Sequence, residues 1–184
     1  MLIGVSKTLQ DFLTGAIPDP HTDWVVLEAL SGDPTRQPPE SKLVLFLYAV
    51  EENPHLRNGP PVQTVDGYFR RPAALTLHYL IAYTGKTQKD VQERLALVIQ
   101  AFHSHPRLEA PRLDPSLLDK VDSLAVRMRD VPFDEANKIW TALNVPMRLA
   151  LFYDVDAALI EPVDQTATGP IRTRRTGHGD LVPS

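Results

Sequence analysis

Asp154 and Asp156 stand two apart near the C-terminus, with Glu161 a few positions on. On a strand that spacing puts both carboxylates on one face. Paired carboxylates at a strand end are how many metal-dependent nucleases hold Mg²⁺. The usual lysine partner is missing nearby, and Ala150, Phe152 and Ile160 share the same face. The plainer reading is a solvated strand end, because charged residues face water by default. His103 and His105, in FHSHP, are the closest pair of imidazoles. At i and i+2 of a helix they point about 200° apart and cannot share an ion unless the helix has already ended. No third ligand sits at a telling distance, which leaves a solvated helix end with basic side chains near the C-terminal dipole.

Arg70 and Arg71, just before Pro72, offer cations to a phosphate or an acidic surface; the bland alternative is an exposed loop pair. Arg172, Arg174 and Arg175 make the C-terminal tail basic. Setting aside that tail's three Arg and two Asp leaves 16 basic and 21 acidic residues, or -5, in the first 162. Such a tail suits an acidic neighbour or, weakly, nucleic acid. These five arginines are the candidate interface residues. With a formal net charge of -4, the whole chain makes no electrostatic call for nucleic acid. There is no Gly-rich phosphate loop, no nucleophile elbow and no His-x-x-x-His helix. The absence of Cys excludes disulfides, thiolate metal sites and a cysteine nucleophile. The expectation is a protein that is not an enzyme, with no cofactor and no metal.

The elements that would position these residues follow from apolar spacing. Val5, Leu9, Phe12, Leu13 and Ala16 have helical spacing, and Gly15 with Pro18 ends that run. Lys7, Gln10 and Asp11 interrupt the apolar N-terminus within a turn of one another, so neither a signal peptide nor a membrane span is expected, and the product is read as cytoplasmic. DWVVLEAL, Asp23 to Leu30, reads as a first strand, and Ser31 to Ser41 as loop. Lys42 to Val50 is apolar at every position after the lysine, the mark of a strand covered on both faces and central in its sheet. Glu51 to Pro72 reads as a long irregular connection of the kind that is functional or mobile.

Ala73 to Gly85 alternates, with Leu75, Leu77, Tyr79, Ile81 and Tyr83 on one face and Thr76, His78 and Thr84 on the other. Thr87 and Asp90 suit a capping box ahead of a helix with the stripe Val91, Leu95, Val98, Ile99 and Phe102. Ser123 to Val131 alternates again, with Leu124, Val126 and Met128 opposite Arg127 and Arg129. Ala136, Ile139, Trp140 and Leu143 then mark a short helix, with Asp134 as N-cap and Asn144 as its stop. About three turns are marginal alone, so Trp140 must pack on a sheet. A last strand carries Leu149, Leu151, Tyr153, Val155 and Leu159 on one face. The sum is a single α/β (α+β) domain over residues 1–162, a mixed sheet of about five strands packed by about three helices. Residues 163–184, rich in Thr, Gly, Asp and Arg, are expected to form a disordered or arm-like tail.

The ordered set SKTLQDFL, LVLFLYAVEENPHLRN, RRPAALTLHYLIAYTG, IQAFHSHPRL and FDEANKIWTALNVPMRLALFYDVDAALIE resembles one family. It is that of the cap, or tube-terminator, proteins of phage-tail-like contractile injection systems, of the antifeeding-prophage and virulence-cassette type. The resemblance spans roughly residues 2 to 162, with a mild departure at Ala73 and Ala74, where a proline and a bulkier residue are expected. It implies a structural cap that closes the distal end of the inner tube. It also implies a six-fold homo-oligomeric ring that holds the last sheath layer, with tube and sheath proteins as partners. The rival readings are a small Mg²⁺-dependent nuclease using Asp154 and Asp156, and a standalone peptide-binding module using the Arg70–Arg71 loop.

Overall fold

The longest alternating run in the chain becomes the spine of the molecule. In a computed structural model, residues 1–19, 23–30, 41–53, 62–63, 69–70, 74–118 and 120–159 are described. In chain order they give α1 (Leu2–Ala16), β1 (Val25–Val26), β2 (Lys42–Glu52), β3 (Val62–Gln63), β4 (Phe69–Arg70) and β5 (Ala74–Thr84). Then follow α2 (Gln88–Ser104), β6 (Arg107–Glu109), a 3₁₀ turn (Pro115–Leu117), β7 (Val121–Met128), α3 (Phe133–Ala142) and β8 (Ala150–Leu159). Six strands form one sheet in the order β1-β2-β5-β8-β7-β6, with β1 parallel to β2 and every other pair antiparallel. The mixed α/β architecture expected from the sequence is the one observed.

Helices cover both faces of this sheet. On one side α1 and α2 pack Val5, Leu9, Leu13, Leu95, Val98 and Phe102 against Leu77, Tyr79 and Ile81 of β5 and Tyr153 and Val155 of β8. On the other, α3 sets Trp140 among Val44, Leu80, Ala82 and Val145. The period of two along β5 therefore feeds two separate cores, which is why that strand is buried nearly end to end.

Several local expectations hold. Thr87 Oγ1 accepts from the Asp90 N–H at 3.1 Å while the Asp90 carboxylate accepts from the Thr87 N–H at 3.2 Å, the reciprocal capping box. Asn144 takes φ 54°, the left-handed position that stops α3 and lets Pro146 follow. Trp140 is 1 % exposed, as a helix too short to stand alone requires.

Other expectations are corrected. The strand expected over Asp23–Leu30 shortens to Val25–Val26, because only that stretch runs beside β2 before the chain leaves the sheet. The apolar run of β2 is not central: it lies one place from the edge, and its second half is partly exposed. The central pair is β5 and β8, whose alternation hid the fact that both of their faces are covered. Pro132, not Asp134, is the N-cap of α3, with no side-chain hydrogen bond there. The connection expected over Glu51–Pro72 contains the end of β2 and a small ribbon of β3 paired with β4. β6 was not expected; three residues with one buried leucine carry no periodic signal. Ile99 and Met128, assigned to apolar stripes, are 37 % and 57 % exposed.

Candidate functional site

The polar residues of β5 and β8 meet on the α3 side of the sheet, at the end that α3 does not roof. Register decides who meets whom: Thr76 pairs with Asp156 and His78 with Asp154. On the next strand Arg127 pairs with Asp154 and Ala125 with Asp156. A bulge in β2 between Leu47 and Ala49 puts Tyr48 out of sequence in the ladder. Its ring then lies 5.9 Å from that of His78 and edge-on to Phe152 at 6.1 Å.

Two linked clusters result. In the first, Asp154 Oδ1 accepts from His78 Nδ1 at 2.6 Å, so that nitrogen carries the ring proton. Arg129 donates to Tyr48 Oη at 2.9 Å and to Glu135 Oε1 at 2.8 Å, and its guanidinium comes within 3.4 Å of His78 Nδ1, donor facing donor. His78 Nε2 is buried without a hydrogen bond, 3.5 Å from the exposed Glu51 carboxylate. In the second, Asp156 Oδ1 accepts from Thr76 Oγ1 at 2.6 Å and from Asn53 Nδ2 at 3.0 Å, while Oδ2 accepts from Arg127 at 2.7 Å. Burial pushes the Tyr48 phenol up, against the pull of Arg129 beside it. Burial lowers Arg129, but the Tyr48 oxygen and the carboxylates of Glu135 and Asp154 outweigh it and hold the guanidinium above its usual value.

Asp154 and Asp156 are therefore neither a metal pair nor a solvated strand end. Their carboxylates are taken by an imidazole, a guanidinium, a hydroxyl and an amide, at side-chain exposures of 19 % and 14 %. Among the described residues no three His, Asp or Glu side chains are placed to hold an ion. What the arrangement does chemically is fix register, since a slip of one residue on β8 would part every donor from its acceptor. The sequence placed Thr76, His78, Asp154 and Asp156 on their faces correctly. It could not reveal that the two faces coincide, nor that Asn53, Arg127 and Arg129 join them, because those pairings are non-local.

His105 corrects another reading. Rather than a solvated end, its ring stands edge-on to Phe12 at 5.4 Å and its Nδ1 is buried without a hydrogen-bond partner, while His103 is exposed. Arg70 lies in β4. Arg71, Glu161, Arg172, Arg174 and Arg175 lie outside the described residues, as does the tail expected after Pro162. Among the described residues no helix is long and apolar enough to cross a membrane.

Two helices on one face, a short third on the other and a mixed sheet with its last strand inside define a small three-layer α/β domain in which the carboxylates of Asp154 and Asp156 are paired with neighbouring strands. The chain belongs to the Pvc16 N-terminal domain family, which it matches over residues 4–174. Its fold is shared with a PVC sheath/tube terminator of an extracellular contractile injection system, in the extended state. There the TM-score is 0.66 at 16 % identity, covering 100 % of this chain and 65 % of that one. The tube-terminating cap of the anti-feeding prophage is similar, with TM-score 0.61 at 15 % identity over 96 % of this chain and 61 % of that one. This chain thus spans less than two thirds of the length of either neighbour. Among curated proteins, none matches.

Proposed function

We propose that this chain is a structural cap that ends the inner tube of a contractile injection system and holds the last layer of its sheath. The observation that carries the reading is the fold likeness to two terminators of such systems, over 100 % and 96 % of this chain, beside its match to the Pvc16 N-terminal domain family. The polar ladder supports it from the chemical side. Its carboxylates and cations neutralise one another inside a fixed sheet, which suits a rigid block and leaves no free acid or base pair for a nuclease.

On this reading the protein assembles in the cytoplasm as a homo-hexameric ring and contacts tube and sheath proteins, without nucleic acid, membrane or catalysis. Arg70, Arg71, Arg172, Arg174 and Arg175 are the cations assigned to those contacts, the last three following a stretch of 162 residues whose net charge is -5. The test is addition of the purified chain to preformed tubes, alone and with sheath protein, followed by electron microscopy. Rings on one tube end and sheath held in register are expected. Bare tube ends at saturating protein would overturn the reading. So would Mg²⁺-dependent DNA cleavage lost in Asp154→Ala.

A further inference from the structure

A lone pair and a carboxylate face each other across the β2–β5 pair. Ahead of the bulge Leu47 pairs with Tyr79, and both belong to the layer under α1 and α2. Past it Ala49 pairs with His78 and Glu51 with Thr76, on the α3 side. The extra residue at Tyr48 thus turns Glu51 onto the face that carries His78, the re-aiming of a side chain that bulges perform. Glu51 becomes the diagonal neighbour of His78, within reach of a long side chain, and its Oε2 stands 3.5 Å from Nε2. The other ring nitrogen is committed: Nδ1 donates to Asp154 Oδ1 at 2.6 Å, which leaves the lone pair on Nε2. That nitrogen is buried without a hydrogen bond in a residue 5 % exposed, whereas the Glu51 side chain is 72 % exposed.

A buried lone pair beside a carboxylate calls for a positive charge between the two. A proton would draw them into a charge-assisted hydrogen bond of about 2.7–2.9 Å, yet they stand 3.5 Å apart. Two ligands of one tetrahedral zinc ion, each at about 2.0–2.2 Å, lie roughly 3.3–3.5 Å from one another. We propose that His78 Nε2 and Glu51 Oε2 bind one Zn²⁺, with water in its remaining positions. Asp154 then does what a carboxylate does behind a zinc-bound imidazole: it holds the tautomer and ring orientation and raises the basicity of the ligating nitrogen. The imidazole nitrogen selects zinc over Mg²⁺ and Ca²⁺, which take oxygen ligands. Local charge admits a dication. Arg129, which approaches His78 Nδ1 to 3.4 Å, is matched by Glu135 at 2.8 Å, and Arg127 by Asp156 at 2.7 Å. Glu51 and Asp154 are left to answer the ion, and Tyr48, whose ring lies against His78, stays neutral because burial pushes its phenol up. Bound there, the ion would tie the exposed end of β2 to β5. The site needs this chain alone and stands whether or not the cap reading does.

The test is calorimetric titration of the full chain, stripped of metal by a chelator, with ZnCl₂ at about pH 7.5, since zinc ligands bind deprotonated. Saturation at one ion per chain is expected for the tightest site, and no response to MgCl₂. Glu51→Gln keeps the shape of an exposed side chain and removes its charge. It should weaken zinc at least about tenfold, the least that losing an outer partner of a ligand costs. Glu51→His exchanges one ligand for another and should bind more tightly than Glu51→Gln. His78→Asn should abolish the site, and the two Glu51 variants carry the test if that buried change prevents folding. Failure of the wild-type chain to saturate with zinc would overturn the proposal. So would Glu51→Gln binding as tightly as wild type, which would put the ion on another of the six histidines, or Glu51→His binding no better than Glu51→Gln.

Discussion

Under α1 and α2, β5 presents Leu77, Tyr79 and Ile81 to an apolar layer, while under α3 the alternate residues of the same strand split into Leu80 and Ala82 at one end and Thr76 and His78 at the other. The first face is held by area removed from water, which is non-directional and tolerates small shifts. The second is held half by area and half by donors and acceptors whose geometry admits one register only. A sheet built this way gains most of its stability from one side and much of its definition from the other.

The largest effect is expected where the α3 side is apolar. Trp140→Ala should cost about 3–5 kcal/mol, read as a fall in the denaturant midpoint, because a buried Trp of α3 leaves a cavity against Val44 and Leu80. A sharp, unshifted transition would mean that α3 is not anchored through this residue. Next comes the polar half. Asp154→Ala strips His78 of its acceptor and should cost about 1.5–3 kcal/mol, in the range of hydrogen bonds to charged groups. If the loss were near zero, the ladder would decorate the face rather than define it.

The third effect belongs to the α1 side. Burial pushes the Tyr79 phenol from 10.0 up to about 12, against the pull of its hydrogen bond with Ser6 Oγ at 2.8 Å. The unfolded chain releases that proton near its ordinary value and the folded chain does not. The contribution is thus complete below about pH 10 and is lost as pH rises through about 12, worth on the order of 3 kcal/mol. Unfolding followed from pH 9 to 11.5 should show stability falling, and Tyr79→Phe should remove part of that fall, another part belonging to Tyr153, whose phenol burial also pushes up to about 12. The smallest effect separates two glycines of α1. Gly15→Ala, in open space, should add about 0.5–1 kcal/mol through helix propensity. At Gly4 the same change brings a Cβ within 2.5 Å of Ser116 Oγ and 3.0 Å of Leu117, and should be neutral or destabilising in the same thermal melt.

What the sequence made legible was whatever depends on near neighbours. The capping box at Thr87 and Asp90, the stop at Asn144 and the amphipathic turn around Trp140 are all settled within four or five residues. Strand existence was equally plain for β2, β5 and β8. Strand position was not, because an apolar run such as Leu43–Val50 reads alike whether one neighbour or two cover it. The ladder was half legible. Its residues alternate visibly, yet Tyr48 enters only through a bulge, and Arg127 and Arg129 only through the β7–β8 register. The spacing of Asp154 and Asp156 suits a metal pair and a cross-strand ladder equally, and only the register with Thr76, His78 and Arg127 separates the two.

The place of β8 also sets a clock on biosynthesis. The strand that fills the gap between β5 and β7 is the last of the described strands to be translated. From Thr84, where β5 ends, to Leu159, where β8 ends, a ribosome working at roughly 5–20 residues per second needs on the order of 4–15 s. Throughout that interval the edge of β5 that β8 will occupy, carrying Leu77, Tyr79 and Ile81, has no strand to pair with. An unpaired apolar edge is a template for another nascent chain. Crowded polysomes translating this message are where aggregation of the protein should begin, and slowing elongation between codons 84 and 159 should lower its soluble yield more than the same delay placed before codon 42.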